Sequence, residues 1–384
     1  MERVNEFLLK RKKENLYRRL QPAALREGGK IFFCGRQYFD FSSNDYLGLA
    51  QHPALKEASR RAAEKFGTGA SASRLLSGDL EIHHELEEKV ACFKGKEAAL
   101  IFNSGYQANL GIISALYKKG DVVFSDRLNH ASIIDGIRLS GAKLFRFPHN
   151  GTGYLESLLK KQRGNFNEAL IITETIFSMD GDEAALKELA DLKEKYNCRI
   201  MVDEAHATGI FGENGSGMVE EKGLTDRTDL IMGTFSKALG SFGAYIACSK
   251  QIKEYLVNAC RSFIYSTSLP ASVIAANLAS LEVIKNEPAR RNKLLDNARY
   301  FRGNLKRNKF GFTLRGSSQI VPVIIGGIAR TIKLSQGLQN KGYWVLPIRP
   351  PTVPAGEARL RFSLTYFHTT DILERLINDI NQIG

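Results

Sequence analysis

A single lysine stands among small residues in Thr234-Phe235-Ser236-Lys237-Ala238-Leu239-Gly240, just beyond the strand-like apolar run Asp229-Leu230-Ile231-Met232-Gly233. An ammonium at the edge of an apolar core is costly unless it is paired, deprotonated or used covalently, so this placement suits a Schiff base with a carbonyl cofactor. A solvated lysine at a strand end is the alternative. A second run, Arg199-Ile200-Met201-Val202, delivers Asp203-Glu204-Ala205-His206 at its C-terminal end, where α/β sheets place their ligands. Pyridoxal phosphate acts as an electron sink while its ring nitrogen stays protonated, and a neighbouring carboxylate keeps that proton in place. Asp203 is the candidate carboxylate. His206, three residues on, is placed either to reach the phenolic oxygen of the same ring or to anchor the loop.

Two further segments fit the same chemistry. Asp121-Val122-Val123-Phe124-Ser125-Asp126 is strand-like, and Leu128-Asn129-His130-Ala131-Ser132-Ile133-Ile134-Asp135-Gly136 opens a helix, so His130 is placed to stack flat on a pyridine ring or to bond backbone at the helix start. Ala98-Ala99-Leu100-Ile101-Phe102 runs into Asn103-Ser104-Gly105-Tyr106-Gln107-Ala108-Asn109 and a helical pattern. Backbone amides at such a start bind phosphate.

The elements that must carry these residues follow a regular rhythm. Short apolar runs at 98–102, 121–125, 143–147, 169–174, 198–203, 229–233 and 243–248 alternate with helical patterns, which predicts a mainly parallel sheet wrapped by helices. Asp191-Leu192-Lys193-Glu194-Lys195-Tyr196-Asn197 has the form of a crossover-helix end. Glu287-Pro288 breaks the helical run that begins at Ala271, and the rest of the chain has the pattern of a smaller α+β domain. The expected division is an N-terminal helix and extended segment over 1–50, a cofactor-binding α/β domain over 51–286 and a C-terminal domain over 287–384.

With these motifs in order, the chain resembles the α-oxoamine synthases, pyridoxal-phosphate enzymes of the fold-type I aminotransferase superfamily. The likeness runs from Phe41-Ser42-Ser43-Asn44-Asp45-Tyr46-Leu47-Gly48-Leu49 through Gly69-Ala70-Ser71-Ala72-Ser73-Arg74-Leu75-Leu76-Ser77-Gly78 and Phe177-Ser178-Met179-Asp180-Gly181-Asp182 to Tyr265-Ser266-Thr267-Ser268-Leu269-Pro270. The resemblance implies a mainly parallel seven-stranded sheet with a smaller C-terminal domain. It implies that Lys237 carries pyridoxal 5'-phosphate and serves as base, that Asp203 pairs with the ring nitrogen, that His206 meets the phenolic oxygen and that His130 stacks on the ring. Ser104, Gly105, Tyr106, Thr234 and Ser236 would surround the phosphate, and Ser178 would touch the cofactor. Arg349 would grip the amino-acid carboxylate beside Asn44, with Arg18 and Thr352 on the substrate side; two adjacent arginines leave Arg19 open as the alternative to Arg18. Within the family, Ile348-Arg349-Pro350-Pro351-Thr352-Val353-Pro354-Ala355-Gly356 points to L-alanine with a pimeloyl thioester, carried on coenzyme A or a carrier protein. Glycine with acetyl-CoA is the alternative. The resemblance also implies a homodimer whose site borrows Thr267 across the interface.

Bulk properties set the class. The 384 residues are 43% hydrophobic and 25% charged, enough for one large domain and a smaller one. No segment has the length and apolarity of a membrane span, and Met1-Glu2-Arg3-Val4-Asn5-Glu6-Phe7 lacks the pattern of a signal peptide, so an amphipathic helix and a cytoplasmic enzyme are expected. Cys34, Cys92, Cys198, Cys248 and Cys260 show no Cys-x-x-Cys pair; they are expected to be reduced packing residues, with no metal site. A net charge of +13 raises nucleic-acid binding, but the cations are spread along the chain and no nucleic-acid motif accompanies them, so a general attraction for anions, including a polyanionic thioester, is the expectation.

Overall fold

The computed structural model describes residues 2–306 and 312–383. The chain forms two compact units: Leu49–Ser178 with Glu183–Arg291, and Met1–Gly48 with Met179–Asp182 and Asn292–Gly384.

Seven short runs rich in Val, Ile, Leu and Ala build the central sheet of the larger unit. They are β1 (Ala98–Phe102), β2 (Val122–Asp126), β3 (Lys143–Phe147), β4 (Ala169–Glu174), β5 (Arg199–Asp203), β6 (Leu230–Thr234) and β7 (Ala244–Cys248), in the order β1-β7-β6-β5-β4-β2-β3. Neighbours are parallel except around β7, which is antiparallel to both β1 and β6. A single reversed strand between two others leaves those two pointing the same way, so the other six strands finish on one edge. β1, β2, β4, β6 and β7 are buried at every residue, as a sheet covered on both faces requires; β5 is exposed at Arg199 alone, and the edge strand β3 is open along most of its length. On one side, the helices Gly105–Leu116 and Ala131–Ser140 pack together. Their Ile112, Ile113, Ile133 and Ile137 lie in one cluster with Val123, Leu170, Met201 and Met232 of the sheet. Each helix starts within a few residues of a strand's end, so helix N-termini and strand C-termini meet along the same edge.

The smaller unit holds two four-stranded sheets. Leu25–Glu27, Lys30–Phe33 and Arg36–Asp40 form an antiparallel meander joined in parallel by Tyr343–Trp344. Thr313–Leu314, Ile320–Gly326, Ala358–Ser363 and Pro347–Ile348 form the second, antiparallel throughout. Arg359 is fully buried and donates to Asp180 Oδ1 at 2.9 Å and Glu357 Oε2 at 2.6 Å, while Gly181 O accepts from the backbone N–H groups of Ser317 and Ser318. The Met179-Asp180-Gly181 stretch of the motif is thus a packing insert for this unit. A buried guanidinium needs its carboxylates, because removing one partner strands a charge in the interior.

Helix Glu2–Lys13 is present, with Val4, Phe7 and Leu9 more than half exposed. Two cysteines depart from the expected packing role. Cys198, Cys248 and Cys260 are buried, whereas Cys34 is exposed in the turn between two strands and Cys92 is exposed on helix Glu81–Lys94; all five are free thiols. Among the described residues no helix is long and apolar enough to cross a membrane, and no cluster of three or more metal-ligating side chains is found.

The turn after Lys237 depends on a glycine. Gly240 has φ +65°, and a Cβ there would lie 2.4 Å from backbone atoms of Leu49 and Ala50. Left-handed strain costs roughly 1–2 kcal/mol and overpacking roughly 1–3 kcal/mol, so Gly240→Ala is expected to lose about 2–4 kcal/mol of stability in chemical denaturation. A loss below about 1 kcal/mol, the ordinary cost of a tolerated substitution, would mean that the turn relaxes freely.

Candidate active site

Three adjacent strands end in polar residues after otherwise apolar sequences: β4 in Glu174, β5 in Asp203 and β6 in Thr234. Glu174 and Asp203 are register partners, which sets two carboxyls side by side. Together with the start of helix Gly105–Leu116, His130 and the turn after β6, these strand ends line a cavity of about 210 Å³. Of the residues expected at the site, Gly105, Tyr106, His130, Asp203, His206, Thr234, Ser236 and Lys237 line it.

At its centre Lys237 Nζ lies 2.8 Å from His206 Nε2. Asp203 is buried and accepts from Asn109 Nδ2 at 2.9 Å on one oxygen and from the Ala205 backbone N–H at 2.9 Å on the other. Asn109 Nδ2 also donates to Ser132 Oγ at 3.0 Å, and Ser132 Oγ sits 2.8 Å from His130 Nδ1. His130 caps its helix, since Nδ1 also accepts from the Ser132 backbone N–H. Of the two roles open to it in the sequence, the helix-start role is seen here, and the same residue lines the cavity. The protein around the ring pushes its pKa down, and the Lys237 ammonium adds to that, against the opposing pull of Asp203. The outward face stays exposed, as a surface awaiting a stacked ring would be.

Glu174, Asn109 and Ser132 are site residues that the motifs did not single out. Glu174 is 3% exposed; its Oε2 accepts from the Ser178 backbone N–H at 3.2 Å, while Oε1 has no hydrogen-bond partner among the described residues. Burial pushes its pKa up to about 8, and the Asp203 charge adds to this against the opposing effects of Lys237 and the Ser178 and His130 amides. Of the two neighbouring carboxyls, Asp203 has the donors of an anion and Glu174 the surroundings of a neutral acid. The signal that picked out Asp203, a carboxyl closing an apolar strand, is equally present in Leu170-Ile171-Ile172-Thr173-Glu174.

At the other end of the cavity, Ser104 caps helix Gly105–Leu116 by accepting from the Gln107 backbone N–H at 3.2 Å. The Gly105 and Tyr106 amides open the helix, where no acceptor exists within it, and the positive end of the helix dipole favours an anion there. Thr234 Oγ1 and Ser236 Oγ both donate to Gly243 O, at 2.7 and 3.3 Å. Thr267 does not line the cavity of its own chain; its carbonyl accepts from Asn103 Nδ2 at 2.9 Å. A lysine, a hydrogen-bonded aspartate, an imidazole and a helix start around one cavity are of the kinds that pyridoxal phosphate requires, and the residues fit that cofactor.

Of the expected substrate residues, His130 lies in the larger unit, and Arg18, Asn44, Arg349 and Thr352 belong to the smaller one. Arg18 donates to Thr352 Oγ1 at 3.0 Å, and Arg349 donates to Asn15 O. Partial burial and the nearby Arg18 charge together push the Arg349 pKa down. Among the described residues neither guanidinium has a carboxylate partner, so two like charges stand together without an anion. Asn44 Oδ1 accepts from both terminal nitrogens of Arg361 at 3.3 Å.

The model of the class I and II aminotransferase family matches residues 36–380. An 8-amino-7-oxononanoate synthase of Geotalea daltonii is 47% identical over 386 residues, covering 100% of this chain and 98% of that protein. Among solved structures, a serine palmitoyltransferase of Sphingomonas wittichii aligns with TM-score 0.94 at 32% identity, covering 100% of this chain and 97% of that one. A serine palmitoyltransferase of S. paucimobilis with a bound PLP–myriocin aldimine aligns with TM-score 0.91 at 32% identity, covering 99% and 96%.

A carboxyl with a folded-state pKa of about 8 keeps a proton that the unfolded chain, near 4.5, releases. The native state then binds more protons, so Glu174 makes stability fall as pH rises from about 4.5 to about 8. Glu174→Gln keeps the shape and removes the titration. It is expected to flatten that fall in the denaturation midpoint of the cofactor-free protein, and an equally steep fall in the variant would contradict the raised pKa.

Proposed function

The chain belongs to the class I and II aminotransferase family, and from that premise we propose that it condenses L-alanine with a pimeloyl thioester. Carbon dioxide and the free thiol leave, and 8-amino-7-oxononanoate, a precursor of biotin, is formed. The contact of Lys237 Nζ with His206, at 2.8 Å beside the buried Asp203, carries the cofactor chemistry. The full-length likeness to 8-amino-7-oxononanoate synthases carries the choice of substrates.

Bound pyridoxal phosphate supplies a sink for the electron pair left on the amino acid's Cα. Lys237 would hold the cofactor covalently, and its Nζ is the group that would take the α-proton and later return it. Asp203, oriented by donors from Asn109 and the Ala205 amide, would hold the proton on the ring nitrogen. His206 donates to the phenolic oxygen, His130 covers the ring face, and Ser178 completes the cofactor contacts. The Gly105 and Tyr106 amides, with Ser104, Thr234 and Ser236, receive the phosphate. Arg349 grips the amino-acid carboxylate beside Asn44, with Arg18, Thr352 and His130 on the substrate side; among the described residues the two guanidinium groups have only neutral acceptors, which supports carboxylate binding. The smaller unit contributes to anion capture through its charge. It holds 24 Lys and Arg against 13 Asp and Glu, and the larger unit 30 against 28, accounting for the chain's 54 and 41. Such an excess attracts a polyanionic thioester.

The proposed assembly is a cytoplasmic homodimer in which Thr267 reaches the phosphate bound by a second copy; its absence from the cavity of its own chain supports this. The proposed domain division sets residues 51–286 as the cofactor-binding part, flanked by 1–50 and 287–384.

The deciding experiment crosses alanine, glycine and serine with pimeloyl, acetyl, succinyl and palmitoyl thioesters, following thiol release and identifying each aminoketone by mass. Alanine with the pimeloyl thioester is expected to lead. One methyl group in a pocket is worth only about 1–3 kcal/mol, so glycine should react roughly 10- to 200-fold more slowly. Preference for glycine with acetyl-CoA would overturn the substrate assignment. Asp203→Asn is expected to retain the cofactor yet exchange the α-proton more slowly, by the roughly 1.5–3 kcal/mol of a charge-assisted hydrogen bond; exchange at the parent rate would remove Asp203 from its role.

A further inference from the structure

Between Asp203 and His206 lies Glu204, a charged residue that does not line the cavity. It is 0% exposed. Its Oε2 accepts from Lys94 Nζ at 2.7 Å, and its Oε1 accepts from the Val219 backbone N–H at 2.8 Å. Lys94, in the last turn of helix Glu81–Lys94, is buried as well and spends its other donors on Thr208 Oγ1, at 3.1 Å, and on Ser216 O. Thr208 Oγ1 also lies 3.0 Å from Tyr245 OH on β7 and donates to Glu204 O at 3.1 Å. Burial acts to lower the Lys94 pKa, but the Glu204 and Tyr245 charges and hydrogen bonds outweigh it and the net shift is upward. The loop opposite must pass close: a Cβ on Gly217 would lie 2.2 Å from Glu204 Oε2.

Stability alone does not account for such a pair. Desolvating an ammonium and a carboxylate consumes most or all of their attraction, and an apolar pair of similar volume often serves as well. Direction is what the pair adds. An ammonium has three donors, and these reach three fixed acceptors, two of them on the 204–208 turn and the third on the loop before Gly217. We infer that Lys94 and Glu204 are positioning residues: by pinning this turn from beneath, they set the spacing of Asp203 and His206, and hence the protonation and grip of the cofactor ring. The inference rests on the proposed roles of those two residues.

The test uses the cofactor-loaded full chain and the double variant Lys94→Met with Glu204→Gln, which removes both charges without leaving one unpaired. Two quantities are read besides turnover: the pH midpoint of the cofactor's visible absorbance band and the cofactor dissociation constant. The double variant is expected to fold with parent far-UV circular dichroism, to shift the midpoint by about half a pH unit or more, and to bind cofactor about tenfold more weakly, less than the roughly hundredfold effect of a full 1 Å misplacement. A folded double variant with the parent midpoint and affinity would overturn the inference. If the double variant does not fold, Thr208→Val, which cuts the Lys94–Thr208–Tyr245 link without touching a charge, is expected to move the midpoint in part, and a titration superimposable on the parent's would overturn it. Failure of the cofactor roles on which the inference rests is distinguishable, because the parent itself would then show no cofactor band, and a different substrate preference would leave both readouts unchanged.

Discussion

The cost of placing charge at the edge of a dry sheet governs this molecule. Lys237, His206, Asp203 and Glu174 all sit where apolar strands end, and each is tolerated there for a different reason. Lys237 faces an imidazole nitrogen at 2.8 Å, Asp203 receives donors on both oxygens, and Glu174 is left in surroundings that favour its neutral form. Because six strands finish on one edge and two helices begin there, the folding that buries the sheet also gathers the polar groups. Two carboxyls thus stand side by side, one pushed toward its neutral form by burial and the other hydrogen-bonded on both oxygens.

A second level of order supports that edge. Asn109 joins Asp203 to Ser132, Ser132 reaches His130, and the ring of His130 borders the cavity. One amide thus links the buried carboxyl at the end of β5 to the imidazole beside the cavity. Beneath the same edge, the Lys94–Glu204 pair holds the turn between Asp203 and His206. In the smaller unit the buried Arg359 serves a different purpose: it is saturated by Asp180 and Glu357, while Arg18 and Arg349 are left with neutral acceptors only. Saturated guanidinium groups build the unit, and unsaturated ones are available to an anion.

Much of this was legible in the residues themselves. The seven apolar runs coincide with the seven strands to within a residue at either end, because a sheet covered on both faces demands uninterrupted apolar sequence. Lys237, Asp203, His206 and His130 stand out because each is polar where the pattern calls for apolar residues or a helix start. Glu174 obeys the same rule but lies just before the motif Phe177-Ser178-Met179-Asp180-Gly181-Asp182, two of whose six residues, Met179 and Asp180, anchor Arg359. Asn109 and Ser132 were not legible in that way. Their importance comes from a contact between two helices far apart in sequence, and neither residue type is unusual in a helix's first turns. Nor was the exposure of Cys34 and Cys92, since a cysteine's burial depends on which face of an element it occupies and composition carries no such information.

The most direct measurement is the location of the covalent bond. Reducing the cofactor-loaded protein with borohydride and mapping the peptides should place the pyridoxyl label on Lys237, in the segment Thr234-Phe235-Ser236-Lys237. A label on any other lysine, or a protein that takes up pyridoxal phosphate without forming a reducible bond, would contradict the assignment of Lys237 as the group around which this edge of the sheet is organised.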